Sequence, residues 1–300
     1  MSDPESRALR VARRHGLRAE GAELLHGVMN TVVRVHTQAG ADAVVRLPVD
    51  PTRPDEFGTE EWAYEAAAAA GIPSPRVIGR GDDDGMPYLI LEYIEPAAEA
   101  SADPWSVLGT YAARIGRIRP GPDAPGALFS RFGRDLPAAW EEHLSYNVSA
   151  LADDDALIAL GVYAPGQLGR LRGILRSLRD VPFSFGLCHG DLAPRNLIER
   201  EGGEVLIDWG AASTGPTPWL DVRRVYQWAV EDAVVTADEF RSFATAAGID
   251  PQEDEPVLDA LTALSHLDLV RWAIAQRPDL TTQYVSAARS GLARILSAEW

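Results

Sequence analysis

The chain contains no lysine. All 28 basic side chains are arginine, set against 44 acidic ones, for a net charge of −16. It has one cysteine, Cys188, so no disulfide can form within the chain. A reducing, cytoplasmic setting is therefore expected. No apolar run approaches the ~20 residues of a membrane span. The N-terminal stretch MSDPESRALRVARRHG is charged and lacks the apolar segment of a secretory signal, so neither a membrane nor export is expected. The acidic balance argues against nucleic acid as a partner, because such partners call for a basic patch. It suits a cationic small molecule, since acidic surfaces steer cations, and more simply it suits solubility. An apolar fraction of 46% leaves room for a sizeable core.

Short β-like segments come first along the chain. GAELLHG, TVVRVHT and AVVRL carry the alternation and β-branched content of strands, with a turn at Ala39-Gly40-Ala41-Asp42 between the last two. The alanine-rich stretch from Thr59 to Ala70 reads as a helix stopped at Gly71. A further strand follows IPSPRVIG, then a GDDDG turn, then the apolar strand MPYLILEYIEP, ended by Pro96. Beyond Pro96 the spacing is helical around 105–118, 137–150, 166–179, 219–234, 237–247 and 255–297. The expected class is α+β, with a β-rich lobe over 1–95 and a mainly helical lobe over 96–300. There is no internal repeat, and nothing in the sequence speaks to oligomeric state.

One polar cluster interrupts the helical part. LCHGDLAPRNLIEREGGEVLIDWG, residues 187–210, holds Asp191, Asn196 and Asp208 among apolar runs. Pro194 keeps the first half from being plain helix. Asp208 ends the run Val205-Leu206-Ile207, a place where an aspartate suits a strand end facing a ligand. The set offers one carboxylate able to accept a proton, plus a second carboxylate and an amide oxygen. Hard oxygen donors of that kind suit Mg²⁺, which binds through one or two carboxylates together with substrate phosphates. A carboxylate facing a hydroxyl beside Mg²⁺-held phosphate is the constellation of a kinase. Singly, each residue could be a helix cap or turn closer; their order, spacing and flanking strands together favour the site.

HGDLAPRN, residues 189–196, and IDWG, residues 207–210, resemble the catalytic loop and metal motif of the aminoglycoside phosphotransferase and choline kinase superfamily. LLHGVMNTVVRV, AVVRL, EEWAYEAAAAAGIPSPRVI, YLILEYIEP and TPWLDVRRV are similar, in order, to its nucleotide loop, phosphate-binding strand, following helix and strand, hinge, and post-metal helix. The resemblance implies a bilobal protein-kinase-like fold: a nucleotide-binding N-terminal lobe and a catalytic, acceptor-binding C-terminal lobe. It implies Asp191 as the base, Asn196 and Asp208 as Mg²⁺ ligands, and ATP or GTP as donor. The backbone of Glu92 and Ile94 would bond the nucleotide base. Gly27 and Asn30, within His26-Gly27-Val28-Met29-Asn30, would approach the phosphates. The strand lysine of such kinases is replaced by Arg46, which keeps its charge and forks onto phosphate oxygens. Its expected partner is Glu60, whose helical face also carries Tyr64 and Ala67, in preference to Glu61. His189 reads as a brace of the loop, Cys188 as core filling, and Asp221 as a loop-bracing carboxylate at a helix start.

The resemblance implies an acceptor site in the C-terminal helices, where Glu231, Asp232 and Asp268 are candidate contacts. The leading expectation is phosphorylation of a hydroxyl on an antibiotic of aminoglycoside, macrolide or nucleoside type, conferring resistance by inactivation. The alternatives are a metabolic kinase for an amino alcohol or thiosugar, and a nucleotide-binding pseudokinase regulator.

Overall fold

The computed structural model describes residues 3–25, 27, 30–38, 40–49, 56–97 and 102–297. His26, Val28, Met29 and Ala39 of the sequence analysis lie outside them. The chain divides into two compact units, one formed by 1–102, 120–128 and 193–212, the other by 103–119, 129–192 and 213–300. Elements are numbered in chain order.

The first unit is built on an antiparallel sheet. Its strands are β1 (Ala19–Leu25), β2 (Asn30–Thr37), β3 (Ala43–Pro48), β4 (Val77–Asp83) and β5 (Met86–Glu92), in the order β1-β2-β3-β5-β4. Side chains alternate faces along a strand. Val33, Val35, Val45 and Leu47 therefore share a core with Ala8, Val11 and Ala12 of helix α1 (Pro4–Arg14). The intervening Arg46 falls on the other face of β3. Helix α2 (Phe57–Ala69) buries Glu60, Tyr64 and Ala67 along one side. The apolar run of β5 continues to Ile94, but strand pairing ends at Glu92 because its partner Ala43 is the first residue of β3. The hairpin of β7 (Leu197–Arg200) and β8 (Gly203–Leu206) belongs to the same unit.

The second unit is mainly helical, with α3 (Pro104–Ile115), α4 (Leu136–Ala150), α5 (Ala156–Ala159), α6 (Leu168–Ser177), α7 (Trp219–Val230), α8 (Ala237–Ala247), α9 (Glu255–Gln276) and α10 (Thr281–Ser297). One strand pair, β6 (Ser184–Cys188) against β9 (Ser213–Thr217), runs through it. Helix α9 is buried along most of its length, and its Leu264 and Leu267 share one core with Leu144, Leu171 and Leu292. The helical pattern over 255–297 is broken in two: Pro278 cannot donate the backbone bond that would continue the helix, and the chain takes a short turn at Pro278–Leu280. Gly109 lets α3 and α8 touch, since a Cβ there would lie 2.2 Å from the Phe243 carbonyl oxygen. Among the described residues no helix is long and apolar enough to cross a membrane.

Helix α1 is pinned by charge as well as by its apolar face. Asp83, fully buried, receives Arg14 at 2.8 Å, Arg7 at 3.2 Å and Arg10. The Arg10 hydrogen bond, with the charges of Arg14 and Arg7, holds its carboxyl below the ordinary aspartate value. A depressed carboxylate stabilises the fold above its unfolded pKa and ceases to do so as pH falls through its folded one. Asp83→Asn should cost about 2 kcal/mol at pH 7, the scale of charged hydrogen bonds. The gap between wild type and variant in thermal unfolding should stay constant above about pH 4.5 and narrow below about pH 4, where aspartate protonates.

Candidate active site

The β7–β8 hairpin brings two polar residues to one end. Leu197 pairs with Leu206, so Asn196, just before β7, and Asp208, just after β8, emerge together, and the Ile207 N–H donates to the Asn196 carbonyl at 2.9 Å. Asn196 is buried, while the Asp208 carboxylate is nearly half exposed. Asp208 holds a left-handed backbone, φ 64° and ψ 67°, which costs a non-glycine residue about 1–3 kcal/mol. Its N–H donates to the Tyr64 hydroxyl at 3.0 Å, and Tyr64 packs edge-on against Trp209. The sequence carried no signal for this role of Tyr64, since only the packing of α2 brings its hydroxyl to that N–H.

Arg46 joins the hairpin to α2. Its Nη2 donates to Asp208 Oδ1 at 3.0 Å, and its Nη1 donates to Glu60 Oε1. Burial alone would lower the Arg46 pKa, but Glu60, Tyr64 and Asp208 outweigh it and hold the guanidinium charged, above its usual value. Burial likewise pushes Glu60 upward, and Arg46 and the Trp209 N–H oppose it. Glu61 faces away and pairs with Arg80 at 2.7 Å.

Asp191 lies in the other unit, on the loop that leaves β6. Asp221, in the first turn of α7, accepts the N–H of His189 at 3.1 Å and of Gly190 at 2.7 Å. Burial pushes the Asp221 carboxyl up to about 6, and those two N–H groups with Arg223 work against the rise. The Asp191 N–H donates to His189 Nδ1 at 3.3 Å. Cys188 is wholly buried, and that burial raises its thiol pKa, away from a nucleophile's range.

At the start of β2, a Cβ on Gly27 would meet the Asn30 carbonyl oxygen at 2.3 Å, so only glycine permits the tight approach there. Asn30 opens β2 opposite Pro48. The Glu92 N–H is bonded to the Arg76 carbonyl at 2.9 Å, and the side chain of Ile94, just past β5, is buried.

Residues 20–264 match the profile of the phosphotransferase enzyme family. The chain belongs to that family. It is by that membership a small-molecule kinase, and its α+β fold is the bilobal, protein-kinase-like one. No curated protein sequence matches it. Among solved structures it is similar to the macrolide 2′-phosphotransferase MphH from Brachybacterium faecium, with 19% identity, a TM-score of 0.60, and 94% of this chain and 97% of that one covered. It is similar also to a thermostable aminoglycoside phosphotransferase APH(4)-Ia in complex with ADP and hygromycin B, with 18% identity, a TM-score of 0.63 and coverage of 99% and 98%. Choline kinase LicA from Streptococcus pneumoniae follows at 17% identity, with a TM-score of 0.60 and coverage of 98% and 100%.

In this phosphotransferase the donor set of Asn196 and Asp208, an amide and a carboxylate at one hairpin end, fits Mg²⁺, whose remaining ligands are commonly waters and phosphate oxygens. Among the described residues no group of three or more His, Cys, Asp or Glu side chains is gathered for a metal. The three acceptor candidates are scattered. Glu231 is bonded through both oxygens to His266 Nε2, each at 3.0 Å, and receives Gln227 at 3.0 Å. Burial would raise its pKa, but His266, Gln227 and Arg294 hold it below the usual glutamate value. Asp232 is exposed beyond the end of α7. Asp268 alone lines a cavity in the helical unit, and there it is bonded to His143 and to Asn147 Nδ2, the latter at 2.8 Å.

Glu60→Ala would leave a buried guanidinium short of its nearest counter-charge, which costs about 3 kcal/mol or more. Glu61→Ala removes a largely solvated pair and should cost under about 1 kcal/mol. Urea denaturation of the two variants beside wild type measures the contrast.

Proposed function

We propose that this phosphotransferase moves the γ-phosphate of ATP or GTP onto a hydroxyl of an antibiotic-like small molecule, of aminoglycoside, macrolide or nucleoside type, and so inactivates it. The observation that carries this reading is Arg46, a buried cation bonded at once to the helix carboxylate Glu60 and to Asp208. That is the arrangement expected where a fixed positive charge must meet phosphate beside a metal-binding carboxylate. The ADP and hygromycin B held by a protein of the same fold support a nucleotide donor and a sugar hydroxyl as acceptor.

In this reading the β-rich lobe, 1–95, takes the nucleotide and the lobe over 96–300 supplies the base and the acceptor site. The Glu92 carbonyl and Ile94 N–H bond the base, Gly27 admits the backbone close to phosphate, and Asn30 adds a polar contact. Arg46 neutralises phosphate oxygens, steadied by Glu60. Bound at Asn196 and Asp208, Mg²⁺ supplies further neutralisation of phosphate charge. Asp191 orients the acceptor hydroxyl and takes its proton as the new O–P bond forms and the bond to the β-phosphate oxygen breaks. The transition state of such transfers is loose, so positioning and charge do most of the work. Asp221 keeps Asp191 in place through the backbone of His189 and Gly190.

A second reading, a metabolic kinase for an amino alcohol or thiosugar, draws support from the choline kinase of the same fold. A panel of hydroxylated antibiotics, amino alcohols and thiosugars, assayed for ADP or GDP release and product mass, separates the two. Asp191→Ala should lower turnover by orders of magnitude while nucleotide affinity stays near that of wild type. Turnover by Asp191→Ala at the wild-type rate would remove Asp191 as the base, whereas no turnover of any acceptor by wild type despite normal nucleotide binding would sink the transfer reading and leave the pseudokinase alternative.

A further inference from the structure

A cavity of about 250 Å³ lies inside the helical unit. It is tied to the Asp191 loop in two ways. Thr214 and Pro216, part of its wall, belong to β9, and the neighbouring Ser213 pairs with Cys188, three residues before Asp191. Helix α7 lines it with Leu220 and Arg223, and between them Asp221 holds the backbone of His189 and Gly190. One strand pair and one helix therefore position both the cavity and the loop that bears the proposed base.

The walls are largely apolar, with Leu136, Trp140 and Leu264 prominent. The charged groups among them are unequal in what they can offer. Asp268 is bonded through one oxygen to His143 and through the other to Asn147, and Asn147 in turn accepts from Arg271 at 2.7 Å. Arg223 is different. Its Nη1 donates only to neutral oxygens, Gln227 Oε1 at 3.0 Å and Ser265 Oγ at 3.2 Å, and its buried Nε meets no acceptor. Among the described residues no carboxylate lies within ion-pair distance of it. Burial, with the charge of Arg224, lowers its pKa to about 10 against the more distant Asp221 and Glu231, so it is still a cation at neutral pH. Arg223 is half-buried, and a cation partly withdrawn from water and bonded only to neutral groups gains from an anion that completes it. A polycation placed in the same cavity would lose its water and find one carboxylate, that of Asp268, already bonded to His143 and Asn147.

We infer that this cavity is the acceptor site and that it selects a hydroxylated compound with an apolar ring body bearing a carboxylate, which the Arg223 guanidinium receives. This rests on the phosphotransfer step of the proposed function and not on the antibiotic types named with it, and it replaces the aminoglycoside type by an acceptor class that excludes polycationic sugars. The net charge of −16 does not oppose it, because charges beyond about 10 Å are largely screened at physiological salt, whereas the guanidinium contact is direct. A cavity of this size holds a compact one- or two-ring body.

Calorimetric titration of the full chain with four probes tests it: 6-(hydroxymethyl)-2-naphthoate, its methyl ester, the matching aminomethyl compound, and kanamycin. The carboxylate should bind at least tenfold more tightly than the ester, the amine or kanamycin. Arg223→Met should weaken the carboxylate at least tenfold and leave the ester unchanged, while Arg223→Lys should retain most of the carboxylate's affinity. Equal or tighter binding of the amine or kanamycin, indifference of the carboxylate to Arg223→Met, or no binding of any probe at millimolar concentration would overturn it. If Arg223→Met does not fold, the order of the four probes on wild type decides. Titration requires no turnover. Intact carboxylate binding without phosphorylation of any acceptor therefore counts against transfer alone, and phosphorylation of a polycation with no carboxylate binding counts against the acceptor class alone.

Discussion

A single guanidinium, that of Arg46, is hydrogen-bonded to two carboxylates from different parts of the chain, and the arrangement of the first unit depends on it. Glu60 comes from α2, Asp208 from the end of the β7–β8 hairpin, and Arg46 from the middle of β3. Arg46 and Glu60, both buried, would each be costly alone and are tolerable together, and the half-exposed Asp208 adds a second partner for the guanidinium. A lysine carries its charge at one point, whereas the arginine fork divides its two Nη groups between the two partners. The lack of lysine across 300 residues thus leaves this position with a side chain suited to both contacts.

Around that contact, short irregular segments are held by specific donors and acceptors. Asp208 keeps a left-handed backbone because its N–H has the Tyr64 hydroxyl and its carboxylate has Arg46. Within the second unit, the loop bearing Asp191 is held by Asp221, which accepts two consecutive N–H groups. In both places a rigid helix supplies the bracing atom and a strand end supplies the polar residue. This division lets loops too short to pack a core of their own keep a defined shape.

Legibility in the sequence followed the range of the interaction. The alternation of AVVRL, with valine and leucine on the core face, made it readable that Arg46 points the other way. The burial of Tyr64 and Ala67 with Glu60 follows from the 3.6-residue period of α2. The hairpin's polar end was readable because Asn196 and Asp208 flank two β-like runs. By contrast, the helical pattern over 255–297 reads as continuous, since periodicity alone does not register what the missing N–H of Pro278 does to it. Glu231 and Asp268 looked alike as acidic residues on helices, yet one is committed to His266 and the other lines a cavity beside His143. Those partners lie 35 and 125 positions away in the chain.

By itself, then, the sequence determined the class of the fold and the family and singled out Asp191, Asn196 and Asp208 as candidates for phosphoryl transfer, because these rest on local period and on close spacing within 187–210. Only the tertiary structure decided which polar groups are already satisfied and which are not. Arg223 is one of two adjacent arginines in VRRV, and nothing local distinguishes it from Arg224. Its standing as a half-buried cation lining a largely apolar cavity arises from helices that converge from distant parts of the chain, and hydrogen-bond satisfaction is a property of that convergence.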